Sequence, residues 1–192
     1  MAMTLDEIHE LETSWIGRVP SDDPECFGWE PFNIHVFADL IDSCLEYVPA
    51  GNRTALDAGC GIGTKCLYMF QAGLEAYGFD RMREFLDEAE RLGVPCELAD
   101  ARTFARYGDY GLVYVNHPLA CGQGCNDEAR LERAIHRQMR TGAVLLDVNY
   151  DLAPGCSAHP ADSPCTDDCP EDGAAWPEIV RWGRWSAAWV KP

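Results

Sequence analysis

The sequence predicts an α/β fold: a doubly wound, mostly parallel sheet with two N-terminal helices and a C-terminal antiparallel hairpin. Three observations carry this. From Arg53 to Val148 short apolar runs alternate with segments of helical periodicity, the pattern of a parallel sheet with helices on both faces. A glycine-rich stretch, Gly59-Cys-Gly61-Ile-Gly63, lies directly between the first such run and the first helical segment. Acidic residues, Asp80 and Asp100, follow the second and third runs.

Taken in order, Thr4-Leu-Asp-Glu7 has the form of a capping box, so a helix is expected from about Leu5 to Ser14. Gly17 to Gly28, with two prolines, reads as a loop. Pro31 suits the first turn of a second helix, where its missing N–H costs nothing. There Ile34, Phe37, Ile41, Cys44, Leu45 and Val48 recur at helical spacing until Pro49-Ala-Gly51 ends the pattern. Strands are expected at Thr54–Leu56, Glu75–Phe79, Pro95–Leu98, Gly111–Val115 and Ala143–Val148. Helices are expected at Thr64–Ala72, Met82–Leu92 and Asp127–Arg140, with a short helical turn around Thr103. Residues 151–175 contain four prolines and no Lys or Arg, the composition of a long irregular loop. Glu178–Trp182 and Trp185–Val190, around Gly183-Arg184, have the length of a hairpin. The chain is expected to form one domain over residues 1–192, with 1–50 as a helical cap on the cofactor cleft.

Composition narrows the partners. With 32 acidic against 15 basic residues the formal charge is -17, which repels polyanions at long range and disfavours nucleic acid as a partner. No basic region leads into an apolar core near Met1, and no apolar run approaches membrane-spanning length, so a soluble, cytoplasmic protein is expected. Ten cysteines are many for 192 residues. Cys44, Cys60, Cys66 and Cys96 fall in apolar or turn segments, where a reduced thiol behaves as a small hydrophobe.

The chemistry concentrates in Leu56-Asp57-Ala58-Gly59-Cys-Gly61-Ile-Gly63-Thr64. Glycines let the chain turn sharply and a ligand approach the backbone, and the following helix offers unpaired N–H groups. A dinucleotide's pyrophosphate favours such a helix end without a neighbouring anion. Asp57, just before the turn, repels a pyrophosphate and attracts an ammonium, which favours a nucleoside bearing an amino acid. Asp80 comes twenty-one positions after Gly59, the separation at which an acid reaches ribose hydroxyls. Asp100 is placed to accept from an adenine amino group. Singly, each acid also suits a cap of a turn or helix. Together they mark the carboxyl edge where open α/β sheets bind ligands.

In order and placement, Leu56 to Thr64, Asp80, Asp100 and Asn116-His-Pro-Leu119 resemble motifs I to IV of the class I S-adenosylmethionine (SAM) dependent methyltransferases, over about residues 50–150. The resemblance implies SAM as cofactor and S-adenosylhomocysteine as product. It implies that Asp57, Ala58, Gly59, Gly61, Gly63 and Thr64 hold the methionine part. Asp80 and Arg81 would lie at the ribose, Asp100 and Ala101 at the adenine, and Asn116 by the transferring methyl group. His117 and Leu119 stand in place of a proline and the aromatic residue of the Asn/Asp-Pro-Pro-aromatic motif of amino-methylating members, which argues against a stacked nucleobase acceptor. SAM is already activated, so positioning the acceptor supplies much of the rate, with a base only where the acceptor keeps its proton. His117, with Asn116, is the candidate for that work, since histidine titrates near neutrality; His35 is a weaker candidate.

The expected activity is methyl transfer to a small molecule or a protein side chain. The alternative is a non-catalytic SAM-binding regulatory or interaction module, and a dinucleotide-dependent oxidoreductase is disfavoured by Asp57. No metal is expected. Cys121-x3-Cys125 and Cys165-x3-Cys169 have zinc-compatible spacing, but loop thiols without metal are the default. On the helix expected at 127–140, Arg130, Arg133, Arg137 and Arg140 form one side, read as a solvated face, and Leu131, Ile135 and Met139 the packing side.

Overall fold

The computed structural model describes residues 2–16, 18, 31–116, 125–148, 154, 176–183 and 186–192. Helix α1 (Leu5–Trp15) opens with the expected box: the Thr4 side chain accepts from the Glu7 N–H, and the Glu7 carboxylate accepts from the Thr4 N–H at 2.7 Å. Helix α2 (Ile34–Cys44) begins later than Pro31 suggests. Asn33 is the better cap, because its side-chain oxygen accepts from the N–H groups of both His35 and Val36.

Five parallel strands follow: β1 (Thr54–Ala58), β2 (Glu75–Asp80), β3 (Cys96–Leu98), β4 (Leu112–Asn116) and β5 (Val144–Val148). Helices α3 (Thr64–Gln71), α4 (Arg83–Arg91) and α5 (Cys125–Gln138) alternate with them. A single 3₁₀ turn at Tyr107–Asp109 precedes β4. The region expected to be helical around Thr103 is a turn closed by the N–H groups of Thr103 and Phe104 on the Asp100 carbonyl.

The expected hairpin is real, and it completes the sheet. Strands β6 (Glu178–Arg181) and β7 (Ser186–Val190) pair antiparallel, and β7 also pairs antiparallel with β5. The resulting order is β3-β2-β1-β4-β5-β7-β6. Side chains explain why β7 is the inner strand of the two: Ser-Ala-Ala-Trp of β7 is buried, whereas β6 exposes Glu178 and Arg181 as an edge strand does.

Alternation along the central strands divides the core in two. Ala55, Leu112, Tyr114, Leu146 and Ala188 face Ile8 of α1, Phe37 and Ile41 of α2 and Cys66 and Met69 of α3. Leu56, Val113, Val115, Leu145 and Trp189 face Leu131, Ile135 and Met139 of α5 and Tyr107 of the 3₁₀ turn. Both faces are covered, which is why β1, β4 and β5 read as nearly continuous apolar runs.

Register then places polar residues by arithmetic. Asp57 lies between Gly78 on β2 and Tyr114 on β4, in the row that faces α1, α2 and α3. No helix of the described residues is long and apolar enough to cross a membrane.

One backbone contact at the start of β4 leaves no room for a side chain: a Cβ on Gly111 would stand 2.0 Å from the Asn52 carbonyl oxygen. Gly111→Ala is expected to destabilise the chain by about 1–3 kcal/mol, read as a lower denaturant midpoint. An unchanged midpoint would refute that contact.

Candidate functional site

The chain leaves β1 through Asp57 and Ala58 and reaches α3 through the glycine-rich turn. Gly59, Gly61 and Gly63 have φ angles of 82°, 52° and 79°, a region that side chains disfavour, so each glycine is required by the backbone. The turn is fastened to the end of β2. The N–H groups of Gly59 and Cys60 both donate to the Phe79 carbonyl, at 3.0 and 2.8 Å, and the Gly61 N–H donates to Asp80 Oδ2 at 2.8 Å. Gly78 makes this approach possible, since a Cβ there would stand 2.6 Å from Cys60 Sγ.

Asp80 also accepts from the Met82 N–H through Oδ1 at 2.9 Å, at the entry to α4. One carboxylate therefore ties the glycine-rich turn to the chain entering α4. A carboxylate has about four acceptor positions, so the backbone donors at Asp80 leave capacity for a further one. Burial raises its pKa against the lowering effect of the Met82, Gly61 and Arg81 N–H groups.

Asp57 is buried and accepts a long bond, 3.8 Å, from the Cys66 thiol. Burial raises its pKa to about 7; Lys65 pulls it down, while Asp80 and Glu12 push it up. Burial likewise raises the thiols of Cys60 and Cys66 well above their ordinary range, so both remain neutral, inert core groups, as the sequence suggests.

Glu12 is a member of this group that motif reading does not reach. From α1 its Oε1 accepts from Thr64 Oγ1 at 2.6 Å and pairs with Lys65 Nζ. Glu12, Thr64 and Lys65 are all buried, and Glu12 Oε2 has no hydrogen-bond partner among the described residues. The Lys65 ammonium also lies 5.7 Å from the centroid of the Phe37 ring. Burial lowers the Lys65 pKa against the opposing pull of Glu12 and Asp57. A sequence signal for Glu12 exists: it lies one helical turn after buried Ile8, an acid on the inward stripe of α1.

The remaining residues divide. Asp100 is part-exposed and serves its own turn, accepting from the Arg102 N–H at 2.8 Å and pairing with the Arg102 guanidinium at 3.4 Å. Ala101 is buried, and its carbonyl accepts from the Tyr107 hydroxyl at 3.2 Å. Ala58 is buried, Arg81 is exposed, and Asn116 ends β4 half-buried. His35 sits at the α1–α2 junction, 3.4 Å from Asp6 and beside the His9 ring.

His117, Cys121, Cys165, Cys169 and the loop 151–175, apart from Pro154, lie outside the described residues, and Cys125 enters only as the first backbone position of α5. Among the described residues no group of three or more His, Cys, Asp or Glu could hold a metal ion. Arg130, Arg137 and Arg140 are exposed, as a solvated face requires, while Arg133 is half-buried.

A sheet in this order, with a glycine turn after β1 and acids at the carboxyl end of β2 and just beyond β3, has the class I methyltransferase fold. An RNA methyltransferase from Salinibacter ruber, solved with S-adenosyl-L-homocysteine, aligns with a TM-score of 0.58 at 13% identity over 85% of this chain and 94% of its own. TehB from Haemophilus influenzae aligns with a TM-score of 0.55 at 12% identity, over 90% and 65%. In sequence, two curated proteins from strains of Bacillus cereus, each described as an uncharacterized RNA methyltransferase, are 40% identical over 53 residues, 27% of this chain. The match spans only 12% of the length of those relatives. No family model matches the chain.

The raised pKa of Asp57 makes ligand-free stability depend on pH. Between the ordinary value of 3.8 and about 7, the folded state holds a proton that the unfolded state has lost. Stability therefore falls as pH rises through this window, and the penalty, on the order of 4 kcal/mol, is complete above about 7. Asp57→Asn is expected to flatten that slope and to stabilise the ligand-free protein at pH 8. Denaturant unfolding at several pH values measures it, and equal slopes for both proteins would sink the assignment.

Proposed function

We propose that the chain is a SAM-dependent methyltransferase acting on a small molecule or a protein side chain. The carrying observation is the imbalance of charge around the glycine-rich turn: Glu12, Asp57 and Asp80 gather there, with Lys65 the buried cation among them. Buried acids in excess suit a cationic ligand, and an isolated anion such as pyrophosphate is disfavoured. SAM is a nucleoside with an ammonium and a sulfonium, and the residues present fit it.

In this reading Asp57, Ala58, Gly59, Gly61, Gly63 and Thr64 form the bed of the methionine part. Asp80, beside Arg81, keeps acceptor capacity for the ribose, and Asp100 with Ala101 borders the adenine. When bound, SAM supplies an electrophilic methyl group on sulfur. Asn116, at the carboxyl end of β4, and His117 after it are assigned to orienting the acceptor and taking its proton where it has one. Residues 1–192 are taken as one domain, with 1–50 capping the site. The free, buried thiols of Cys44, Cys60 and Cys66 suit a reducing, cytoplasmic setting.

The names of the Bacillus cereus and Salinibacter ruber proteins raise RNA as an acceptor. The formal charge of -17 opposes polyanion binding, and supports the small-molecule or protein reading instead. A non-catalytic SAM-binding module is the second reading, on the ground that His117 and Leu119 depart from the amino-methylating motif.

Calorimetry with SAM, S-adenosylhomocysteine and NAD tests the cofactor, and binding of NAD alone would defeat both readings. Release of S-adenosylhomocysteine from SAM in the presence of cell extract, before and after ribonuclease, separates the enzyme from the module and protein or metabolite from RNA. Asp80→Ala is expected to weaken SAM by about 1–3 kcal/mol; unchanged affinity would remove the ribose assignment. A cation beside Asp57 favours its ionised form, so SAM affinity should rise with pH up to about 7 and level off above it, with proton release on binding. Asp57→Asn should abolish that dependence.

A further inference from the structure

We propose that Glu12 is a cofactor-binding residue: its Oε2 accepts from the ammonium of the methionine part of SAM, so that α1 forms a wall of the site. This rests on the SAM reading above and goes beyond the motif residues, all of which lie in or after β1.

The observation behind it is an asymmetry within one carboxylate. Oε1 holds two donors, Thr64 Oγ1 and Lys65 Nζ, while Oε2 is equally buried and holds none among the described residues. Buried carboxylate oxygens without donors are costly, and natural cores rarely keep them unless a ligand or water completes them. The place is right for a ligand. Thr64 and Lys65 directly follow Gly63 of the turn, and the Glu12 charge is felt at Asp57 and Tyr114, register partners on β1 and β4.

The charge also fits. Asp57 and Glu12 are fully buried against one buried lysine, so one more cation balances the group. An ammonium brings a positive charge and three donors in one small group, matching an acceptor that is short of a donor. Geometry at Oε1 holds the carboxylate in place before the ligand arrives, which limits the ordering cost on binding.

The competing role is purely structural, with Glu12 serving only as counterion to Lys65. Three ligands separate the two: SAM and S-adenosylhomocysteine carry the ammonium, and 5′-methylthioadenosine lacks the whole amino-acid part. Glu12→Gln keeps an oxygen for Thr64 and Lys65 and removes the charge. It is expected to weaken SAM and S-adenosylhomocysteine each by about ten- to a hundredfold while leaving 5′-methylthioadenosine within about twofold.

The double variant Glu12→Gln with Lys65→Met removes both charges of the pair, and remains a test where Glu12→Gln alone unfolds the chain. It should show the same selective loss. Equal weakening of all three ligands, unchanged affinities, or recovery of SAM binding in the double variant would each overturn the proposal. If the unmodified chain binds none of the three, the SAM reading itself fails, an outcome distinct from loss of the Glu12 assignment alone.

Discussion

Phe79 and Asp80, the last two residues of β2, anchor the turn that leaves β1, and the site is arranged around that anchorage. Three backbone N–H groups of the turn end on these two residues. None of those donors has a partner within its own segment, and buried amides left unpaired cost as much as a lost hydrogen bond. The anchorage in turn demands a residue without Cβ at Gly78, where Cys60 presses against β2. Parallel pairing of Asp57 with Gly78 brings these requirements together at one level of the sheet. Once the turn is held, α3 must start where it does, and its first residues meet α1.

The meeting of α1 with α3 is a burial of charge. Two carboxylates and an ammonium leave water there, and pairing recovers only part of the desolvation cost. Burial is the largest influence on both Asp57 and Lys65, pushing each towards its neutral form. A structure made only for stability would place apolar groups at these positions. Retaining the charges accords with the proposed SAM site, in which a cationic ligand would balance them and α1 would contribute to its recognition.

Much of this was legible before the fold was seen. All five parallel strands fall where the sequence places them, and the central β1, β4 and β5 read most clearly because strands buried on both faces are nearly continuous apolar runs. The turn, Asp80 and Asp100 stood out because their spacing is local and recurs strand by strand. The start of α2 was misplaced because Pro31 and Asn33 both signal a helix start, and the side chain that satisfies two N–H groups prevailed. The 3₁₀ turn at Tyr107–Asp109 carries no periodicity that a sequence could show. Glu12 was missed as a site residue because its partners are 52 and 53 positions away.

The sequence by itself determined the alternation of strands and helices, the turn that only glycines can make and the acids at the carboxyl end of β2 and just beyond β3. Each of these depends on neighbours along the chain. Tertiary structure alone decided that β7 enters between β5 and β6, that Asp80 ties the glycine-rich turn to the chain entering α4, and that burial raises the Asp57 pKa to about 7 beside a buried Glu12–Lys65 pair. Those outcomes depend on which distant segment excludes water from a given side chain, because desolvation and pairing act through space.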